Sequence, residues 1–261
     1  MPALIFDCDG VLADTEKDGH LRAFNQTFEH FHLPVHWSVA DYAEKLKIGG
    51  GKERLKSLLT PEFIIKAELS PDPKAQAAAV ADWHRYKTDI YTDLVESGVM
   101  PPRAGIARIV KEAHAAGWKL AVASTSHAKS VQAVLTHAVG AELAADFAVF
   151  AGDIVPHKKP APDIYRLALA ELAVSTAQAI VIEDSQNGLA AATAAGLRTV
   201  VTISSFTSAE NFAAASLVVS CLGDLATGQP AKLLENPANL TLGEEITLAD
   251  LKNILELPAI N

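Results

Sequence analysis

Ala3-Leu4-Ile5-Phe6-Asp7-Cys8-Asp9-Gly10-Val11-Leu12 decides the fold in its first half and places two carboxylates in its second. Four uninterrupted apolar residues suit a strand buried on both faces, because such a strand needs no polar alternation. Asp7 and Asp9 follow where that strand would leave its sheet. Comparable apolar runs recur at 120–123, 148–150, 179–182, 199–203 and 217–219. Between most of them lie alanine-rich stretches with helical spacing, at 104–116, 128–139, 162–172, 189–195 and 209–215. Strand and helix alternate, which predicts an α/β fold with a parallel sheet wound with helices. The alternation breaks once, over about 15–100, where amphipathic segments such as 21–31 and 74–94 predict a helical insertion after the first strand. Pro101-Pro102 reads as the return linker, and the prolines at 71 and 73 separate two helices inside the insert. After 227 a helix is predicted at 248–255, with no recognisable chemistry.

Composition excludes several classes of function. The 261 residues are 49% hydrophobic and 20% charged, the balance of a chain that folds by burial rather than one that stays disordered. With 31 acidic against 22 basic residues the net charge is -9, and no basic tract breaks that background, so no nucleic-acid partner is expected. No apolar stretch suits a bilayer, so no membrane partner is expected either. Cys8 and Cys221 lie too far apart in sequence to suggest a disulfide framework or a zinc site, which points to a reducing, cytoplasmic setting. A monomer that takes a small-molecule partner is the expectation.

Ligands of open parallel sheets bind beyond the carboxyl ends of the strands, which selects Asp7-Cys8-Asp9, Ser124-Thr125-Ser126, Gly152-Asp153 and Glu183-Asp184-Ser185. Two of these groups are paired carboxylates. Like charges held together repel unless a cation lies between them. An oxygen-only donor set without neighbouring histidine or cysteine suits Mg2+ and disfavours zinc. Asp7, Asp9, Glu183 and Asp184 are therefore the candidate metal-binding residues. Taken alone, Glu183-Asp184-Ser185 reads equally well as a helix cap. His30, His32 and His36 do not share a helical face and Pro34 interrupts them, so they are not read as ligands.

Asp7-x-Asp9-Gly10-Val11-Leu12 with Asp14-Thr15, a strand ending in Ser124, Lys159-Pro160 and the Glu183-Asp184 pair occur in the order found in the haloacid dehalogenase superfamily of phosphohydrolases. The chain resembles that superfamily. The resemblance implies a Rossmann-like core at 1–14 and 101–226, a helical cap domain at 15–100, and a C-terminal extension of the core at 227–261. It further implies that Asp7 is the nucleophile, that Asp9 is general acid and base, and that Ser124 and Lys159 hold the remaining phosphoryl oxygens. Mg2+ would be held by Asp7, the Asp9 carbonyl and Asp184, with Glu183 as direct or water-mediated support. Spacing leaves Lys158 and Lys159 both open; the family pattern of lysine directly before proline selects Lys159.

Gly49-Gly50-Gly51-Lys52-Glu53-Arg54 could hold a second anion on glycine amides and Lys52, at the start of a helix over 53–59, but reads equally as an ordinary interhelix loop. Lysine followed by glutamate, with no preceding strand, is not a P-loop. Together with Asp14-Thr15-Glu16, Trp83-His84-Arg85, Lys87, Ser124-Thr125-Ser126 and Gly152-Asp153-Ile154-Val155-Pro156, this stretch is similar to the β-phosphoglucomutase-like branch and, within it, to CbbY-type sugar phosphatases, which act on xylulose-1,5-bisphosphate and so relieve Rubisco inhibition. That resemblance implies Glu16 on the sugar hydroxyls, Gly49, Gly50, Gly51 and Lys52 on a distal phosphate, and Ser126 and His127, beside Thr125, near the reacting end. His20, Arg54 and Lys87 are further candidates for the same pocket. Three alternatives remain open on sequence: a phosphomutase that returns the phosphoryl group to another hydroxyl, a phosphatase of other sugar phosphates, and a sugar-phosphate sensor without turnover.

Overall fold

A computed structural model describes residues 1–257. Seven strands form one sheet: β1 (Ala3–Phe6), β2 (Lys119–Ser124), β3 (Phe147–Ala151), β4 (Ala179–Glu183), β5 (Arg198–Thr202), β6 (Leu217–Val219) and β7 (Leu233–Glu235). Their order is β3-β2-β1-β4-β5-β6-β7, with all pairs parallel except β6 with β7. β1 lies centrally, where Phe6 is level with Val122 on one side and Ile182 on the other.

Successive side chains of a strand point to opposite faces, and both faces here are covered by helices. Leu4, Phe6, Leu120, Val122, Ile180 and Ile182 pack into one core, while Ala3, Ile5, Ala121, Ala123 and Val181 pack into another. The continuous apolar runs follow from that double burial. Ile109 and Val110 of α6 (Ile106–Ala115) cover the first face with Val131, Val134 and Leu135 of α7 (Ala128–Val139). Ile164 and Tyr165 of α9 (Asp163–Glu171) cover the second with Ala191 and Ala192 of α10 (Gln186–Ala194). A short α8 (Ala141–Ala144) follows α7, and α11 (Leu248–Leu255) adds Leu251 and Ile254 to the first face.

Between β1 and β2, residues 16–96 hold a π-helical turn (Glu16–Leu21) and then α1 (Arg22–His30), α2 (Val39–Leu46), α3 (Gly51–Lys56), α4 (Pro61–Lys66) and α5 (Pro73–Glu96). This helical segment has its own aromatic core of Phe24, Phe28, Trp37, Tyr42 and Trp83. Asp72 caps α5 through the Ala75 amide, with Pro73 in the first turn, where proline's missing N–H costs nothing. The chain leaves and re-enters the sheet region at one place, because Ala13 bridges Pro102 and the Arg103 amide donates to the Leu12 carbonyl.

The structure corrects the sequence reading in places. No helix forms at 209–215. Instead the Asn211 side chain accepts from the Ala213 amide, Thr207 Oγ1 accepts from the Ser204 amide and Glu210 accepts from the Gln186 amide. Such local side-chain bonds offer the backbone an alternative to helix. Phe212 and Ala215 are buried there nonetheless, against Leu189 and Val201. The strand expected at 199–203 starts and ends one residue earlier, and the antiparallel edge strand β7 is too short and too exposed to leave a pattern. Of the extension read as 227–261, the last four positions lie outside the described residues. Among the described residues no helix is long and apolar enough to cross a membrane.

The Arg103 guanidinium donates to the carbonyls of Gly10 (2.5 Å), Ile203 (2.6 Å) and Ser220 (2.5 Å), clamping the loop after β1 to those after β5 and β6. Replacing it leaves half-buried carbonyls without donors. Arg103→Ala is expected to destabilise the protein by about 2 kcal/mol and to lower Tm by roughly 4–8 °C in a thermal melt.

Candidate active site

Parallel register brings the ends of β1, β2 and β4 level, and the Asp7 amide donates to the Ile182 carbonyl at 2.9 Å to carry the pairing one residue beyond β1. Asp7 therefore emerges beside Glu183 and Asp184. One ligand oxygen from each of these residues lies within 4.8 Å of the others, and all three are buried. Lys159 Nζ lies 2.6 Å from Asp7 Oδ1 and 2.6 Å from Glu183 Oε1, and donates to the Ala123 carbonyl at 2.9 Å. Behind it, Tyr165 Oη donates to Glu183 Oε1 at 2.6 Å, with its ring 4.8 Å from the ammonium. Two glycines permit this closeness. At Gly10, with φ +79°, a Cβ would fall 2.0 Å from Asp184 Oδ2, and at Gly188 it would fall 2.0 Å from the Glu183 carboxylate.

One ammonium does not balance three buried carboxylates. Burial pushes Asp7 up to about 8, against the pull of Lys159 and with Glu183 and Asp9 adding to it. Burial, then Glu183 and Asp7, push Asp184 well above the carboxylate range. Lys159 moves upward, since Asp7 and Glu183 outweigh the burial that opposes its charge. A hard divalent cation between Asp7 and Asp184 would relieve this excess, and the all-oxygen donor set fits Mg2+. Glu183 does not line the cavity described below; its Oε1 is taken by Lys159 and Tyr165, and its Oε2 accepts from the Asp184 amide.

Asp9 faces the other way, toward the helical segment. Its Oδ1 accepts from Thr15 Oγ1 (2.6 Å) and Tyr91 Oη (3.1 Å) and pairs with His20 Nε2 (2.8 Å), while its Oδ2 accepts from Ser126 Oγ. Burial works against its charge, but His20 and the hydroxyl donors prevail and hold it far below the usual carboxylate range. His20 is stacked on Tyr91 at 4.0 Å, and its Nδ1 lies 2.5 Å from Lys87 Nζ. Burial between the Phe24 and Tyr91 rings pushes Lys87 down to about 7, although Asp9 and Glu16 favour its charge.

These groups open onto a cavity of about 720 Å³ between the sheet's carboxyl edge and the helical segment. Asp7, Asp9, Glu16, Gly49, Gly50, Gly51, Ser124, Thr125, Ser126, His127, Lys159 and Asp184 all line it, as do His20, Arg54 and Lys87. Glu16 Oε2 accepts from Tyr42 Oη at 2.5 Å and lies 3.8 Å from Arg54 Nη1. Lys52 does not line this cavity. It is half exposed, 3.6 Å from Asp153, and borders a smaller neighbouring cavity. Its helix starts at Gly51 rather than 53. Tyr42, Tyr91 and Tyr165 were not anticipated as partners of the site. Tyr91 follows Lys87 by one helical turn, a signal that was available; nothing local marks Tyr42 or Tyr165.

A family model described as haloacid dehalogenase-like hydrolase matches residues 1–196. A CBBY-like protein of Arabidopsis thaliana is 46% identical over 223 residues, covering 85% of this chain and 69% of its own. Protein CbbY of Cereibacter sphaeroides is 42% identical over 224 residues, covering 85% of this chain and 93% of its own. Among solved structures, a mutant CbbY from Rhodobacter sphaeroides in complex with xylulose-1,5-bisphosphate is 41% identical, with a TM-score of 0.75 over 87% of this chain and 98% of that one.

A cation that binds only the folded site stabilises it by mass action. Millimolar Mg2+ is expected to raise Tm of the metal-free protein by a few degrees (on the order of 1–3 kcal/mol of linkage), measured by differential scanning calorimetry with and without chelator. In metal-free Asp184→Asn the removal of one buried carboxylate is expected to leave Tm unchanged or higher, and the response to Mg2+ is expected to vanish.

Proposed function

The chain belongs to the haloacid dehalogenase-like hydrolases, and on that premise we propose that it is a magnesium-dependent sugar-phosphate phosphatase that works through an aspartyl-phosphate on Asp7, converting xylulose-1,5-bisphosphate to xylulose 5-phosphate. The observation that carries this reading is the Asp7–Lys159–Asp184 group at the floor of a cavity whose opposite wall holds Glu16 and Arg54. A carboxylate nucleophile beside a fixed ammonium suits attack on a phosphate ester, and a polar far wall suits a hydroxylated, anionic substrate. The relative solved with xylulose-1,5-bisphosphate supports the choice of sugar. In this reading residues 1–14 and 101–226 form the catalytic core, 15–100 form a cap over it, and 227–261 extend the core.

The steps follow from the groups in place. Asp7 Oδ attacks phosphorus, and the bond from phosphorus to the sugar oxygen breaks. Lys159 and Ser124 hold the phosphoryl oxygens, and a divalent cation held by Asp7, the Asp9 carbonyl and Asp184 supplies further neutralisation when bound. Asp9, once protonated from solvent, gives that proton to the leaving sugar oxygen and takes one back from the water whose attack on phosphorus breaks the bond to Asp7 Oδ and releases phosphate. In the structure Asp9 accepts from Thr15, Tyr91 and Ser126 and pairs with His20, a network that favours its ionised form. Acting as an acid thus requires substrate to replace part of that network. Once a leaving oxygen competes for Asp9, the donors that keep it ionised are lost and its proton affinity rises. Closure of the helical segment over the cavity excludes bulk water during this exchange.

Phosphate release from xylulose-1,5-bisphosphate, ribulose-1,5-bisphosphate and fructose-1,6-bisphosphate, each with and without Mg2+, tests the reading. The xylulose compound is expected to show the highest kcat/KM, by roughly tenfold or more. Asp7→Asn is expected to lower kcat by roughly three orders of magnitude or more, since it removes the nucleophile. Equal rates on all three substrates would overturn the substrate assignment, and undiminished release by Asp7→Asn would overturn the mechanism.

A further inference from the structure

We propose that Lys158 and Glu53 are positioning residues that tie docking of the helical segment to the placement of Lys159; the inference rests on the phosphatase reading above. Lys158 Nζ lies 2.9 Å from Glu53 Oε2 in α3 and 2.9 Å from Asp153 Oδ1 in the loop after β3. Its side chain is only 17% exposed, against 39% for Glu53, so the pair is partly withdrawn from water and screened less than a surface contact. The next residue, Lys159, turns the opposite way and reaches Asp7 at 2.6 Å. One dipeptide therefore touches both the helical segment and the nucleophile.

The glycines of α3's entry loop belong to the same joint. A Cβ on Gly49 would lie 3.0 Å from the Lys159 carbonyl oxygen. On Gly50, whose φ is +96°, it would lie 2.2 Å from Glu53 Oε2 and 2.7 Å from Lys158 Nζ. At Gly50, where φ is positive, a side chain would also be strained whatever the space. Gly49 is small where the loop backbone lies against the Lys159 carbonyl, and Gly50 is held to glycine by its positive φ beside the ion pair. When the helical segment withdraws, Glu53 leaves Lys158 and Gly49 leaves the Lys159 carbonyl together, and Lys158 keeps only Asp153 from the core. Lys159 then loses the Gly49 backbone that lies over its carbonyl. The ammonium itself keeps its core partners Asp7, Glu183 and the Ala123 carbonyl, so cap docking acts on the main chain that carries it, and substrate bound without closure meets a less firmly placed lysine.

The test uses Glu53→Gln, Lys158→Met, the double variant and Lys158→Arg in the full chain, assayed on xylulose-1,5-bisphosphate and on p-nitrophenyl phosphate with Mg2+, with Tm recorded for each. Each single variant is expected to lower kcat about five- to tenfold on the bisphosphate with KM changed less than about twofold. The double variant is expected to be no slower than the slower single, and Lys158→Arg, whose guanidinium can pair with both carboxylates, to lie within about twofold of the parent. Multiplying effects in the double variant, an effect confined to KM, or unchanged kcat in the singles would overturn the proposal. A parent that hydrolyses neither ester would refute the phosphatase reading alone. Hydrogen exchange separates the two cases without turnover: in Glu53→Gln, amides in 49–56 and 157–161 are expected to exchange faster together, and unchanged exchange in 157–161 would overturn the tie.

Discussion

Lys159 Nζ stands at 2.6 Å from both Asp7 and Glu183, and much of the chain is arranged around keeping that one ammonium among carboxylates it cannot fully neutralise. Burying like charges is unfavourable unless partners are close and well aimed. The sheet supplies the aim, because parallel pairing of β1 with β2 and β4 delivers Asp7, the Ala123 carbonyl and Glu183 to one level. Gly10 and Gly188 supply the closeness, and Tyr165 completes the bonding of Glu183 from α9. The residual negative charge makes the floor a place for a divalent cation and, with that cation, for a phosphoryl group.

The helical segment enters the same balance from above. Asp9 shares the loop after β1 with Asp7, yet its acceptors are satisfied by Thr15, His20, Tyr91 and Ser126, three of them in or next to the segment. Lys87 continues that chain through His20. A carboxylate held so firmly ionised is a poor acid, so the proposed chemistry depends on redistributing those bonds when substrate fills the cavity. The Glu53–Lys158 pair gives closure a second route, to Lys159. Asp9 and Lys159 are thus both addressed by the segment, through different side chains and from opposite sides of Asp7.

β1 to β6 were legible in the sequence because they are buried, which leaves short apolar runs, whereas exposed β7 leaves none. The positions of Asp7, Ser124 and Asp184 followed from those runs, since strand ends are where an open parallel sheet presents groups to ligands. The turns at 209–215 carry an alanine-rich stretch that reads as a helix, while the decisive bonds of Asn211 and Thr207 run from side chain to backbone. Lys52 lies inside the first turn of α3 rather than ahead of the helix, and its ammonium pairs with Asp153 at the smaller cavity. Tyr42 and Tyr165 act on Glu16 and Glu183 across 26 and 18 residues of sequence, separations that no local pattern encodes. The glycine run at 49–51 lines the cavity, and Gly49 in addition lies against the Lys159 carbonyl and Gly50 beside the Glu53–Lys158 pair.

In the proposed mechanism Asp7 carries the phosphoryl group during turnover. Quenching the enzyme with borohydride at steady state on xylulose-1,5-bisphosphate and Mg2+, followed by peptide mass spectrometry, tests it most directly, because borohydride reduces an aspartyl-phosphate to homoserine and leaves a free carboxylate untouched. Homoserine at position 7, absent when substrate or Mg2+ is withheld, is the predicted result. Turnover with Asp7 recovered unmodified and homoserine at another aspartate would contradict it.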